Sequence, residues 1–301
     1  LTLMHSYKVE EFVNSGILDT VEPLISYQPE LEESNYLDTA WDAGKIGDTQ
    51  YTIPLDIHAS AMYYNQDLLE KYNVTSWLDD NIVTFDEMMS LAGKMDEGDY
   101  VVNNALLSWV ILAQIRNLGG AISDDAGNPT VNTPEMKEAL EKIKALTDAG
   151  LMTPYGEDGY LMFQGGNVLL STDGTWTSTA HNAVDGLNWG VTNIYSTSDD
   201  IATNRAASHM FGMLKSESRT EEKKEVIAKF LEFVRTNSIE WAKAGQIVAS
   251  KDVLESDDYK KYPQSFFTST PEEEDTLYIF DYVYFSYVLE ALDVYCTDIA
   301  Y

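Results

Sequence analysis

Two stretches of the chain carry apolar residues at helical spacing with polar residues between them. In the first, Met136, Leu140, Ile143 and Leu146 fall on one face of a segment opened by Thr133-Pro134 and closed by Gly150. An N-cap threonine, a proline in the first turn and a glycine just past the end answer the unpaired N–H and C=O groups of helix termini. The second begins near Thr220 and turns Val226, Ile227, Phe230, Leu231 and Val234 toward a core. Shorter helices are predicted over Val9–Asn14, closed by Gly16, and over 34–43, with Gly44 as C-cap. Another starts at the capping box of Thr84 and Glu87 and runs to about Asp96.

Between these helices lie short apolar runs that read as strands: 1–4, 51–55 (interrupted by Pro54), 59–64, 167–172, 188–192 and 208–214. Strands alternating with helices predict an α/β fold. Residues 124–129 read as a turn joining two short strands. The acidic run 272–275 follows Pro271 and reads as a loop entering a helix. Tyr278, Phe280, Tyr282, Tyr284, Phe285 and Tyr287 read as an aromatic cluster at helical spacing, an arrangement that is usually core.

Composition adds bounds to this picture. A chain of 301 residues, 44% of them apolar and 12% aromatic, can bury a large core and suggests two domains or one large one. It contains no run of about 18 apolar residues, the length a membrane-spanning helix needs. The first residues, Leu1 to His5, lack a basic segment followed by a long apolar one, so no signal peptide is visible in this chain. Acidic residues outnumber basic ones 50 to 19, for a net charge of −31. Such a surface repels nucleic-acid phosphates and anionic lipid, leaving neither as a partner, while keeping the chain well solvated. Cys296 is the single cysteine, which excludes an intrachain disulfide and a cysteine-rich zinc site. A core of this size needs no disulfides, so their lack does not point to one compartment.

Signatures of catalysis are missing. There is no H-E-x-x-H zinc motif, no G-x-S-x-G nucleophile turn, no Walker A loop and no G-x-G-x-x-G dinucleotide loop. The four histidines (His5, His58, His181 and His209) are scattered singly. Carboxylates are abundant enough to leave a glycosidase pair open, but nothing in the sequence selects two of them. The expectation is a protein that is not an enzyme and uses no cofactor and no metal.

Three segments, taken in order, resemble the extracellular solute-binding proteins of the maltose-binding type, which serve ABC importers. The first is 4–19, a strand, a loop and a helix ending at Gly16-Ile-Leu. The second is 51–69, where Pro54-Leu-Asp-Ile-His58 precedes Tyr63-Tyr-Asn-Gln-Asp-Leu-Leu69, similar to the first hinge crossing of that family. The third is 163–176, similar to the pattern that delivers a tryptophan, here Trp176, to the cleft. Leu118-Gly-Gly120, the helix from Thr133 to Gly150, and Ser208-His209 resemble further family features in the same order. The family usually has more strands and helices before the Leu1 segment and one more helix after residue 301. The expectation is therefore a chain truncated at both ends, with any signal or lipid-anchor segment upstream. Ala59-Ser60 stands where relatives often carry a proline.

The resemblance implies a two-lobe periplasmic-binding-protein-like fold with discontinuous lobes joined by a hinge. One lobe would comprise 1–54 and 205–260, the other 55–204 and 261–301. It also implies a monomeric, extracellular protein, a cell-surface lipoprotein or periplasmic, that captures a mono- or oligosaccharide and delivers it to membrane permease subunits. A sugar site needs flat aromatic faces for the ring and planar polar groups for the hydroxyls. His58, Trp176, His209, Asp56, Tyr64, Trp109, Tyr7, Tyr284 and Gly174 are the residues that the resemblance assigns to ligand binding. Several keep a second reading. Trp109 lies in an apolar helix and reads equally as core, His58 and His209 as buried backbone-bonded histidines, and Asp56 as a turn cap after Pro54. Either Tyr284 or Phe285 could be the late aromatic that reaches ligand. A polyamine is the alternative ligand for the same fold, and a carboxylate-pair glycosidase the alternative function.

Overall fold

The strand His209–Leu214 organises the first half of the molecule. Thr2–His5 runs antiparallel along one side of it, pairing His5 with His209 and Thr2 with Gly212. Thr52–Pro54 runs antiparallel along the other, with Pro54 opposite Met210. Leu18–Asp19 extends the sheet opposite Met213 and Leu214. Met4, Val9, Leu18, Ala43 and Met210 form a buried cluster beneath it. The computed structural model describes residues 1–301 except residues 125 and 281.

Contacts divide the chain into two units. The first holds Leu1–His58, Ala206–Ser269 and Ile279–Ser286, and the second holds Ala59–Arg205, Thr270–Tyr278 and Tyr287–Tyr301. These limits differ from the expected lobes. Residues 55–58 and 261–269 stay with the first unit, and the chain returns to it over 279–286. The 261–269 stretch is held there by tertiary contacts that no periodicity marks: the Gln264 amide donates to the Ala242 carbonyl at 2.7 Å, and Phe267 is fully buried.

In the second unit, the strand that begins at Asp56 continues to Asn65 and takes partners on both sides. Val168–Gly174 lies antiparallel to it, with Ser60 opposite Gly174 and Tyr64 opposite Leu170. Trp189–Thr192 pairs antiparallel with its far end. Tyr100–Val102 lies parallel to Val168–Gly174. The helices Leu107–Asn117 and Pro134–Asp148 pack on each other in this unit. Val168 to Gly174 are buried without alternation, as expected of a strand covered on both faces.

Several predicted helices form as their caps indicate. Thr133 accepts from the Met136 amide, Thr220 from the Lys223 amide, and Thr84 and Glu87 close a reciprocal capping box. Other expectations are corrected. The capping-box helix spans only Phe85–Met89 and does not reach Asp96. Residues 34–43 split into a short 3-10 turn, Glu33–Asn35, and a helix, Asp38–Asp42. Gly44 is not a left-handed cap; a Cβ there would meet Thr52 Oγ1 at 2.4 Å. Residues 271–274 are themselves a helix, Pro271–Glu274. The turn at 124–129 is closed by a single bridge between Ser123 and Pro129, and its residue 125 lies outside the described residues. Tyr278 is in a strand, Leu277–Ile279, and the helix starts only at Phe285, so the aromatics of 278–284 are not at helical spacing.

The helix Glu221–Thr236 also turns differently from its prediction. It buries Ala228, Leu231 and Arg235 where it packs on the helix Glu22–Tyr27. At about 100° per residue, Val226, Phe230 and Phe233 fall on the opposite side, and all three are exposed. Arg235 is held on the buried side by Glu232 and Asp252, at 2.8 and 2.7 Å.

Candidate functional site

Strand alternation and register assemble a polar cluster in the first unit. Asp56 and His58 are two apart on one strand, so their side chains share a face. His5 and His209 are direct cross-strand partners at the ends of theirs. Ring centroids of His58 and His209 are 4.3 Å apart, those of His5 and His209 4.9 Å, and those of His5 and His58 5.3 Å. Tyr7 stacks on His5 at 5.1 Å. Phe285, fully buried, packs on Tyr7 at 5.6 Å.

Asp56 is the anchor of this cluster and is fully buried. Its Oδ1 accepts the His209 backbone N–H at 2.9 Å, and its Oδ2 lies 2.9 Å from His209 Nδ1. The Trp241 indole N–H donates to Oδ2 at 2.6 Å, and His58 Nδ1 lies 3.5 Å from Oδ1. Burial pushes the Asp56 carboxyl up, but the hydrogen bonds from His209 and His58 outweigh it and hold the carboxyl below its usual range. Burial likewise pushes His209 down, and the bond to Asp56 more than offsets it, so its net shift is upward. Asp56 is therefore a buried, ionised group that orients His209, and not a turn cap.

The second unit carries an aromatic pair. Trp109, on the helix Leu107–Asn117, meets Trp176 edge to face at 5.7 Å, and both indoles are half-buried. The Arg205 guanidinium lies 3.7 Å from the Trp109 ring centroid. Trp176 follows the strand Val168–Gly174 and folds back over Gly174, where a Cβ would lie 2.2 Å from the indole. The strand end is fixed from below: the Asn103 amide donates to Ser171 Oγ, and Asn103 Oδ1 accepts from the Thr172 N–H and hydroxyl at 2.8 and 2.9 Å. The Tyr63 hydroxyl donates to the carbonyls of Gly174 and Thr175. Gly174 thus contributes the room that lets the indole lie against the backbone.

The residues assigned by resemblance therefore fall into separate groups. His58, His209 and Asp56 come together in the first unit, with Tyr7 adjoining through His5. Trp109, Trp176 and Gly174 come together in the second. Tyr64 joins neither of these groups. It sits four residues along the strand from Ser60, the partner of Gly174, a separation of about 13 Å, and its ring covers Gly190. Tyr284 is 44% exposed, while its neighbour Phe285 is the ring that packs on Tyr7. Two members of the first cluster were not among the residues assigned to ligand binding, although His5 ends the strand whose loop carries Tyr7. His5 is drawn in by its pairing with His209, and Trp241 by a hydrogen bond across 185 positions of sequence.

The fold is the mixed α/β architecture of the two-lobe periplasmic binding proteins. An ABC substrate-binding protein of Listeria monocytogenes, in complex with cycloalternan, superposes with a TM-score of 0.79 at 16% identity, over 99% of this chain and 78% of that one. The sugar-binding protein MalE of Xanthomonas citri gives 0.80 at 12% identity, over 99% and 77%. Residues 4–268 match the model of the bacterial extracellular solute-binding protein family, and the chain belongs to that family. Among curated relatives, a binding protein of Brucella abortus is 26% identical over 160 residues, which is 48% of this chain and 35% of that protein. An ABC transporter-binding protein of Deinococcus radiodurans is 28% identical over 129 residues, 38% and 30% of the two chains. The matches thus span about a third of the length of these relatives. Among the described residues, no helix is long and apolar enough to cross a membrane.

Proposed function

We propose that this chain captures a carbohydrate outside the cytoplasm and hands it to an ABC importer, and that it does so without catalysis. The observation that carries the reading is the pair of half-buried indoles, Trp109 and Trp176, held at 5.7 Å by a helix and a strand end. Rigid aromatic faces with polar neighbours suit the apolar faces and hydroxyl rims of sugars. The Listeria protein carries cycloalternan, and a solved relative from Thermotoga maritima, T. maritima MalE3, carries maltose, which favours the same ligand class. Monomeric action and delivery to permease subunits belong to the same proposal, as does capture by hinge closure, for which the strand passing between units at 58/59 offers a pivot.

The test is calorimetry of the chain against a panel of mono- and oligosaccharides, with spermidine as the competing ligand class. Saturable binding of one sugar, lost on Trp176→Ala, is the expected result. A panel without heat or thermal stabilisation would overturn the carbohydrate assignment, and binding of spermidine alone would replace it with a polyamine. Slow turnover of a bound oligosaccharide would instead reveal a glycosidase.

A further inference from the structure

The three imidazoles of the first unit do more than supply polar contacts. One nitrogen from each of His5, His58 and His209 can be chosen so that all three lie within 4.8 Å of one another. His5 and His209 face each other across one sheet, and His58 follows Pro54, which pairs with Met210 in that sheet, by four residues on the strand Asp56–Asn65 that leads into the other sheet. The cluster is anchored on one side, because Asp56 engages His209 Nδ1 at 2.9 Å and approaches His58 Nδ1 at 3.5 Å. The carboxylate on His209 Nδ1 fixes the tautomer of that imidazole and leaves its Nε2 as the lone-pair donor, which is how metal-binding histidines are commonly oriented.

We infer that His5, His58 and His209 form a binding site for a divalent transition metal of the zinc type, with Asp56 as the positioning residue behind it. Three neutral imidazoles suit zinc, nickel, copper and cobalt, whereas calcium and magnesium want oxygen ligands. Zinc–nitrogen bonds of about 2.0–2.1 Å place tetrahedral ligands about 3.3 Å apart, so the rings must draw together by about 1.5 Å at most. His5 is the member best able to move, being partly exposed at a strand end, while His58 is 4% exposed. Three protein ligands leave a fourth position for water or for an oxygen of a bound solute. The Trp241 indole N–H, bonded to Asp56 Oδ2 at 2.6 Å, locks the carboxylate that orients His209. This site departs from the metal-free expectation raised by the sequence, and it does not depend on the solute being a sugar.

The test uses the full chain stripped with a chelator and titrated with Zn²⁺ alone and with Co²⁺ alone. Expected results are one tight site per chain, a Zn²⁺-dependent rise in melting temperature, and intense visible d–d bands of tetrahedral Co²⁺ without thiolate character. His5→Ala, at a partly exposed strand end, should lower Zn²⁺ affinity at least tenfold while the unliganded chain keeps its circular dichroism. Asp56→Asn should lower it by about 10–100-fold, as removal of an outer-shell partner does. The acidic surface can hold Zn²⁺ loosely at many carboxylates, so the variants are decisive. Equal Zn²⁺ affinity in wild type and His5→Ala, or octahedral Co²⁺ bands, would overturn the site. Sugar calorimetry of chelator-treated protein, run alongside, separates failure here from failure of the carbohydrate reading.

Discussion

At the scale of single residues, the decisive groups are those whose surroundings change their chemistry. His181 is fully buried among Tyr63, Tyr160, Phe163 and Trp189, and burial lowers its pKa from 6.5 to about 4. The folded chain therefore binds fewer protons than the unfolded chain between those values. Stability from this residue is complete above pH 6.5 and is lost as pH falls toward 4, by on the order of 3 kcal/mol. Asp173 in the same unit acts in the opposite sense. Burial raises its carboxyl to about 6, so it adds stability as pH falls from there toward 3.8. Replacing His181 with Phe should remove the first contribution alone. Urea denaturation should then find the variant gaining on wild type between pH 7 and pH 4; a constant difference would refute the assignment. Gly174 offers a second prediction at this scale. Its φ of −93° accepts alanine, yet a Cβ would meet the Trp176 ring at 2.2 Å. Gly174→Ala should displace the indole, shift the tryptophan emission and weaken sugar binding, with melting temperature little changed. Neither consequence is visible in the sequence. There, Gly174 is only part of a family pattern, and His181 is one histidine among four.

At the scale of elements, local chemistry was a reliable guide to where helices begin and a poor one to which side they bury. Thr84, Thr133 and Thr220 are N-caps because threonine before a polar-apolar run can bond the free amides of the first turn. No such local rule reveals that the helix Glu221–Thr236 turns Phe233 outward. Leu231 is 2% exposed and Phe233 64%. Leu231→Ala should therefore cost about 2–5 kcal/mol through lost burial and cavity formation. Phe233→Lys should change stability by no more than about 0.5 kcal/mol. Equal costs, measured by urea denaturation, would mean that this helix packs on its other face. The strands marked by bounded apolar runs were legible, most of them within a residue or two, but the one read from residue 59 starts at Asp56, and Tyr100–Val102 and Asn204–Ala207 carry no such run and were not predicted. The aromatic stretch 278–287 was not, because alternate aromatics fit either a strand or a wide helical face.

At the scale of the whole molecule, charge is the dominant feature. With 50 acidic against 19 basic residues, repulsion at neutral pH exceeds what exposed ion pairs return, each worth about 0–1 kcal/mol. Raising ionic strength from about 0.01 to 0.1 M shortens the screening length from about 30 to 10 Å and should raise the melting temperature. A fall would mean that specific ion pairs, such as Arg235 with Glu232 and Asp252, outweigh the net repulsion. Sequence by itself determined the α/β class, the family and the starts of the threonine-capped helices, because periodicity, caps and ordered motifs are local or collinear properties. Three of the residues that resemblance picked, His58, His209 and Asp56, do meet in one cluster. Only the tertiary structure decided that His5 and Trp241 belong with them, that Tyr64 stands apart, and that the chain returns to its first unit at 279–286. Those outcomes depend on strand register and on contacts between residues more than two hundred positions apart, such as His5 with His209 and Tyr7 with Phe285, and no local pattern carries that information.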